Sequence, residues 1–265
     1  MRGVPDGYER LDVRGAEVVA QTAAVDAVRG ALKSGTLYEY AAQHEDARPL
    51  AGRGPAYAVP LPGGDRVVVR HNRHGGLLAA LTGDRFLAPT RAPYELVTSR
   101  RLLGSGVRTP EIVAYAVYPA GPLLRRSDVA TREVRDARDL ATLLTSGHER
   151  ERLAALDAAA ELIGSMSAIG ARHHDLNVKN VLLARASSRN ELTAYVLDVD
   201  RVEFGRAGDS RITERNLARF TRSARKWRDL HGAHIDDAEL ARVAASVRRA
   251  ASRRPSGASR ASTRS

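Results

Sequence analysis

An α+β fold in two lobes, a small mainly β N-terminal lobe followed by a mainly helical C-terminal lobe, is what this sequence predicts. The stretch "AYAVPLPGGDRVVVR" sets two β-rich runs on either side of a Pro-Gly-Gly-Asp turn, the grammar of a hairpin. Beyond residue 130 the pattern changes. "EVRDARDLATLLTSG" and "ERERLAALDAAAELIGSMSAIG" carry apolar residues at helical spacing, and each stops at a glycine. With 265 residues, 43% of them hydrophobic, the chain can bury one sizeable core or two smaller ones.

The elements follow in order. Residues 1–35 read as a leader, with one possible helix around "AEVVAQTAAVDAVRGALK". The first lobe is expected over 36–118. It begins with "TLYEYAAQ" as a short strand, and Gly52 and Gly54 then permit a tight turn ahead of the hairpin. After the polar connection "HNRHGG", "APYELVTSRRLLGSG" reads as a helix, with Pro93 near its first turn and Gly104 or Gly106 past its end. "VRTPEIVAYAVYPAG" reads as strand, turn, strand and closes the lobe. The second lobe, 119–247, holds the two helices, a strand "NVLLA", a turn "SSRN", a strand "TAYVLDVD" and a helix "ERNLARFTRSARKWRDL". Residues 248–265 read as a disordered basic tail, and no internal repeat is visible.

Composition narrows the chemistry. No cysteine is present, which excludes disulfides, thiolate metal sites and a Cys nucleophile. The N-terminus lacks the apolar core of a secretory signal and no run of 18 apolar residues occurs, so neither export nor membrane crossing is expected. Net charge is +11, which favours polyanionic partners: nucleic acid, an acidic membrane or a phosphorylated substrate. Six arginines and no acid lie between Arg248 and Arg264, so the chain without that segment would carry +5. Nucleic acid is disfavoured by the lack of a reading motif or stacking platform, with only three Phe and one Trp.

The densest chemistry is "HHDLNVKNVLL", residues 173–183. Polar residues at a strand entrance are often only a turn. Here Asp175 and Asn180 also stand in the spacing D-x-x-x-x-N, which phosphoryl transfer uses for a base on the acceptor hydroxyl and a magnesium ligand on the nucleotide phosphates. A second acidic site, Asp198 in "VLDVD", closes the next apolar strand, where pairing with "NVLLA" would bring it beside Asn180. An Asp there favours a metal ligand. Asp200 could be a second ligand or an ion-pair partner of a neighbouring Arg. In the first lobe, Arg70 at the end of "VVVR" and Glu95 in "PYELV" stand in the order of the cation and helix acid that position phosphates in kinase-like folds. No P-loop and no G-x-S-x-G occurs, which disfavours a Walker NTPase and a serine hydrolase. His71 and His74 lack partners at metal spacing, and His173 reads as a brace for the loop, with His174 near substrate or unassigned.

"RHHDLNVKNVLL", "AYVLDVDRVEF", "VVVRHNRHGGLLAALTGDRFLAPTRAPYE", "GVRTPEIVAYAVYPAG" and "NLARFTRSARKW" together resemble the lipopolysaccharide kinase family, most closely its 3-deoxy-D-manno-octulosonic acid (Kdo) kinases, from about residue 48 to 230. The resemblance implies a protein-kinase-like fold and transfer of the ATP γ-phosphate to a Kdo hydroxyl of the lipopolysaccharide inner core (Kdo-lipid A). It implies Asp175 as base, Asn180 and Asp198 as Mg2+ ligands, Arg70 as phosphate-contacting cation with Glu95 as its partner, and Gly52 and Gly54 in the nucleotide-covering loop. Three positions depart from the wider kinase pattern: Arg70 for Lys, Asn177 for the catalytic-loop Lys, and Asp200 for the Gly of D-F-G. The anionic acceptor implies peripheral association with the cytoplasmic face of the inner membrane, for which the basic tail and the "RFTRSARKWR" helix are the expected surface, while Arg73 and His74 are candidates for the sugar acid. A heptose or other small-molecule kinase of the same fold is the neighbouring reading. A non-catalytic kinase-like or nucleic-acid-binding protein is the reading from another class.

Overall fold

A computed structural model describes residues 3–33, 35–50, 56–72, 86–87, 90–185 and 191–253. The chain divides into two compact units, residues 1–99 with 110–133 and residues 100–109 with 134–265.

The first unit is built on an antiparallel sheet. Its strands are β1 (Tyr8–Val13), β2 (Ala16–Gln21), β3 (Arg48–Leu50), β4 (Ala56–Pro60), β5 (Arg66–His71), β6 (Phe86–Leu87), β7 (Ile112–Pro119) and β8 (Leu124–Arg132). They lie in the order β1-β2-β7-β8-β5-β4-β3, with β6 paired to β8. The β4–β5 hairpin forms as expected, because Gly63 and Gly64 accept φ near +100° and Leu61 N–H donates to Asp65 O at 2.7 Å.

Four elements here differ from the expectation. The leader is a β-hairpin: Arg14 and Gly15 both take positive φ, the twist that suits a two-residue connection, and β2 then pairs with β7. Only its end is helical, as α1 (Val25–Ala31). "TLYEYAAQ" is α2 (Leu37–Gln43) instead of a strand, fixed by a capping box in which Glu39 N–H donates to Thr36 Oγ1 and Thr36 N–H donates to Glu39. "EIVAYAVYPAG" is one strand, β7. β8 follows it, so this unit runs to Glu133 instead of ending at 118. Asp128 on β8 is fully buried, with His71 Nδ1 at 2.5 Å from one oxygen and the N–H of Tyr38 donating to the other at 2.9 Å. That network docks the start of α2 on the sheet and occupies His71.

Helix α3 (Ala92–Gly104) contains the division between the units, after Ser99. The second unit holds α4 (Leu140–Ser146), α5 (Glu149–Ala168), α6 (Ser210–His231) and α7 (Asp237–Ser252). With them are the short strands β9 (Arg138–Asp139), β10 (Ala171–His173), β11 (Val181–Arg185), β12 (Leu192–Val196) and β13 (Val202–Phe204). The helix expected from "EVRDARDLATLLTSG" is confined to α4, because Asp139 accepts from Thr142 N–H and so caps it. β11 pairs with β12 and β9, and β10 pairs with β13. Leu156, Ile163, Phe220 and Val247 meet in one core cluster.

The basic tail begins later than 248. Arg248 to Ser252 complete α7, where Val247 and Ala250 are buried and Arg248 pairs with Glu214 of α6. Helices α5 and α7 touch closely at Gly164, where an added Cβ would stand 2.3 Å from Ala250 Cβ and 3.0 Å from Val247 O. Arg152 and Glu239 join the same two helices in an ion pair at 2.6 Å. Gly164→Ala should therefore overpack the second unit by about 2 kcal/mol, lowering its melting temperature by about 4–8 °C. Thermal melts followed by circular dichroism would check this, and an unchanged melt would mean the helices separate without cost.

Candidate active site

In the first unit, Arg70 is the penultimate residue of the interior strand β5, with Ala56 and Val129 as its neighbours on either side. Glu95 lies in the first turn of α3 and is 3% exposed. The two form an ion pair, and Arg70 Nη1 also donates to Asn72 Oδ1 at 3.1 Å. A carboxylate so buried is stable only with its cation. Gly52, Gly54, Arg73 and His74 lie outside the described residues.

In the second unit, residues 173–180 are a pinned loop. His173 is buried. Its Nδ1 accepts from Asp175 N–H at 3.1 Å, so its proton sits on Nε2, which donates to Leu197 O at 2.9 Å. Burial holds its pKa below the ordinary value, since the imidazolium would lose its hydration. Asn177 and Asn180 both donate side-chain N–H to the carbonyl of Asp175, at 3.1 and 2.9 Å. Asn177 Oδ1 accepts from the N–H of Lys179 and of Asn180, capping a 3-10 turn over Val178–Asn180. Asn at 177 therefore serves the loop's shape, a task the usual lysine could not perform because it has no acceptor.

Asn180 then leads into β11, and the N–H of Leu197 donates to its carbonyl at 2.9 Å, tying the end of β12 to the loop. Asp198 follows in the left-handed conformation, φ 52° and ψ 48°. A non-glycine residue held there is strained, and such strain concentrates at functional sites. The Asp198 carboxylate makes no hydrogen bond or ion pair among the described residues. The Asn180 amide donates through Nδ2 and so presents its oxygen elsewhere. Two hard oxygen donors of this kind fit a magnesium ion on phosphates, which takes few protein ligands. Asp200 lies 3.6 Å from Arg201 in an ion pair, and His174 pairs with Glu203 at 2.7 Å.

Sequence reading named His173 as the loop's brace but missed the helix that grips it. One stripe of α6 follows it residue by residue. Asn216 Oδ1 accepts from His173 N–H at 3.0 Å, Arg219 Nη2 donates to Asp175 Oδ1 at 2.7 Å, Ser223 Oγ accepts from Val178 N–H at 3.2 Å, and Lys179 Nζ lies 5.4 Å from the centre of the Trp227 ring. The numbers 216, 219, 223 and 227 are one helix face. Asn216 is fully buried and also donates to Ser167 Oγ and Ala171 O. The available signal was an Asn and a Ser interrupting an arginine-rich helix beside the buried Leu217, Phe220 and Ala224.

Comparison with known proteins identifies the family. The family model described as "Lipopolysaccharide kinase (Kdo/WaaP) family" matches residues 43–244. A 3-deoxy-D-manno-octulosonic acid kinase of Vibrio vulnificus (strain YJ016) is 30% identical over 204 residues, 75% of this chain and 81% of that protein. One of the same description from Xylella fastidiosa (strain 9a5c) is 30% identical over 181 residues, 67% and 68% of the two chains. Among solved structures, one titled "WaaP in complex with acyl carrier protein" matches with a TM-score of 0.51 at 20% identity, over 82% of this chain and 84% of that one. The fold is protein-kinase-like and the class is that of ATP-dependent kinases. Within that class, the chain belongs to the lipopolysaccharide kinase (Kdo/WaaP) family.

Two predictions follow from this geometry. Glu95→Ala, which removes the buried carboxylate opposite Arg70, should destabilise the first unit by about 3 kcal/mol, whereas Arg70→Met with Glu95→Leu should recover most of that loss; urea titrations of the three proteins check it. His173 stays neutral in the fold but takes up a proton near pH 6.5 when unfolded, so its contribution is intact above about pH 6.5 and declines below it. Urea titrations between about pH 5 and 8 should show that decline, and His173→Asn should flatten it.

Proposed function

We propose that the protein transfers the γ-phosphoryl group of ATP to a hydroxyl of Kdo in the lipopolysaccharide inner core, with Asp175 as general base. The observation that carries this reading is the assembly of Asp175, Asn180 and Asp198 at one end of the β11–β12 pair, through the Asp175 carbonyl and the Leu197–Asn180 hydrogen bond. Asp175 would orient the acceptor hydroxyl and take its proton as the oxygen attacks phosphorus. Asn180 and Asp198 would hold magnesium, which offsets negative charge on the phosphate oxygens when bound. Arg70, kept straight by Glu95 and Asn72, would contact nucleotide phosphate through its forked guanidinium. Gly52 and Gly54 would belong to the loop covering the nucleotide.

The acceptor reading rests on the relatives, which are named for Kdo, and on the positive charge of the chain. A lipid-linked acceptor implies work at an anionic membrane, on its cytoplasmic face. No helix among the described residues is long and apolar enough to cross a membrane. Each Lys or Arg near such a surface contributes about 1 kcal/mol. The stripe of α6 that grips the loop is unavailable for this, but Arg215, Arg222 and Lys226 are exposed.

The test is mass spectrometry of Kdo-lipid A after incubation with the protein, ATP and magnesium. One added phosphate is expected, with the rate reduced about 100- to 10,000-fold in Asp175→Asn while ATP binding is kept. No transfer to this acceptor, with transfer to a heptosylated core, would move the assignment to the sibling activity. Removing residues 254–265, which leaves α7 whole, should weaken sedimentation with anionic vesicles and leave that with neutral vesicles unchanged.

A further inference from the structure

Asp175 would work as a base while paired with a cation, and that cation is placed for a second task. A guanidinium stands 2.7 Å from Asp175 Oδ1, beside the carboxylate that would meet the acceptor hydroxyl. Arg219 is also unusually well placed. It sits on the α6 stripe between Asn216 and Ser223, both bonded to the same loop, so its position along the loop is fixed on each side. Its side chain remains 43% exposed. Only Nη2 is engaged among the described residues, so four of its five N–H donors face outward or lie uncommitted.

From this geometry we infer that Arg219 is a specificity-determining residue that binds the carboxylate of the sugar-acid acceptor beside the hydroxyl Asp175 deprotonates. The inference rests on the proposed reaction and assigns its acceptor site. An acid sugar must bring its own negative charge to a site that already carries the Asp175 and Asp198 carboxylates. Like charges there would repel it. A forked guanidinium bridging Asp175 and the acceptor carboxylate removes that repulsion and draws on the bidentate geometry for which Arg is suited. An acid acceptor would pair with the outward guanidinium N–H groups, and a neutral one would leave them without an anion. The discrimination thus arises where the chemistry occurs.

The experiment compares Kdo-lipid A with the same glycolipid after conversion of its carboxylate to the neutral methylamide, each with wild-type protein, Arg219→Gln and Arg219→Lys. The wild type should prefer the acid at least tenfold in kcat/KM. Arg219→Gln should raise KM for the acid at least tenfold, leave KM for ATP within twofold, and bring the two acceptors to near equality. Arg219→Lys, which keeps the charge without the fork, should fall between. Equal loss of kcat on both acceptors with the preference retained would reduce Arg219 to a positioning residue for Asp175 and overturn the inference. So would a wild type that uses both acceptors equally. Transfer to neither by the wild type would remove the proposed reaction, and the inference with it. ATP affinity measured on each variant separates these results from misfolding.

Discussion

The register of α6 against the loop 173–180 is the constraint on which the second unit's chemistry depends. A loop of this kind has little backbone pairing of its own, and its shape must be imposed. Asn216 does this from full burial, with an acceptor on His173 and donors to Ser167 and Ala171. Removing one such partner strands groups that no water can reach, at a cost of about 1–3 kcal/mol each. His173 passes the constraint on, because its ring bonds both Asp175 N–H and Leu197 O. One imidazole thus ties the loop to the segment that ends in Asp198. Side chains that touch no substrate set the spacing between those that would.

Charge is organised on the same plan. The chain is basic overall, yet three of the residues proposed for chemistry are carboxylates, and each is handled by a different local device. Glu95 is buried and neutralised by Arg70. Asp175 is half held by Arg219 at the surface, where a guanidinium can exchange partners. Asp198 has no ion pair among the described residues and sits on a strained backbone. The gradation runs from structural to reactive. A pair closed in the interior fixes geometry, a pair open to solvent can be traded for a ligand, and a carboxylate with no partner among the described residues keeps its oxygens available.

What was legible in the sequence follows from how local each signal is. The β4–β5 hairpin, α5, α6 and the order Asp175, Asn180, Asp198 all announce themselves within a few residues, by a turn dipeptide, a helical period or a fixed spacing. The leader misled because Arg14-Gly15 is a weaker turn signal than Asn-Gly, and because "AEVVAQ" runs unbroken into helical residues; only pairing with β7 decides that it is a strand. α2 carried a readable signal, the Thr36 to Glu39 capping box, that its aromatic residues concealed. β8 depends on pairing with β7 and β5 from both sides, and no local pattern reports that.

The α6 stripe shows why site residues are harder to read than elements. "NLARFTRSARKW" has the period of an amphipathic helix with a charged face, and by that measure Arg219 is one of many solvated arginines. Its neighbours change the assignment. Asn216 and Ser223 lie on the same face one turn to either side, and each completes a hydrogen bond that the loop's backbone requires. A helix face that must satisfy a loop cannot at once be a free surface for a membrane. The positive charge of α6 therefore divides by geometry. Arg219 faces the loop, and Arg215, Arg222 and Lys226 are exposed on the rest of the helix.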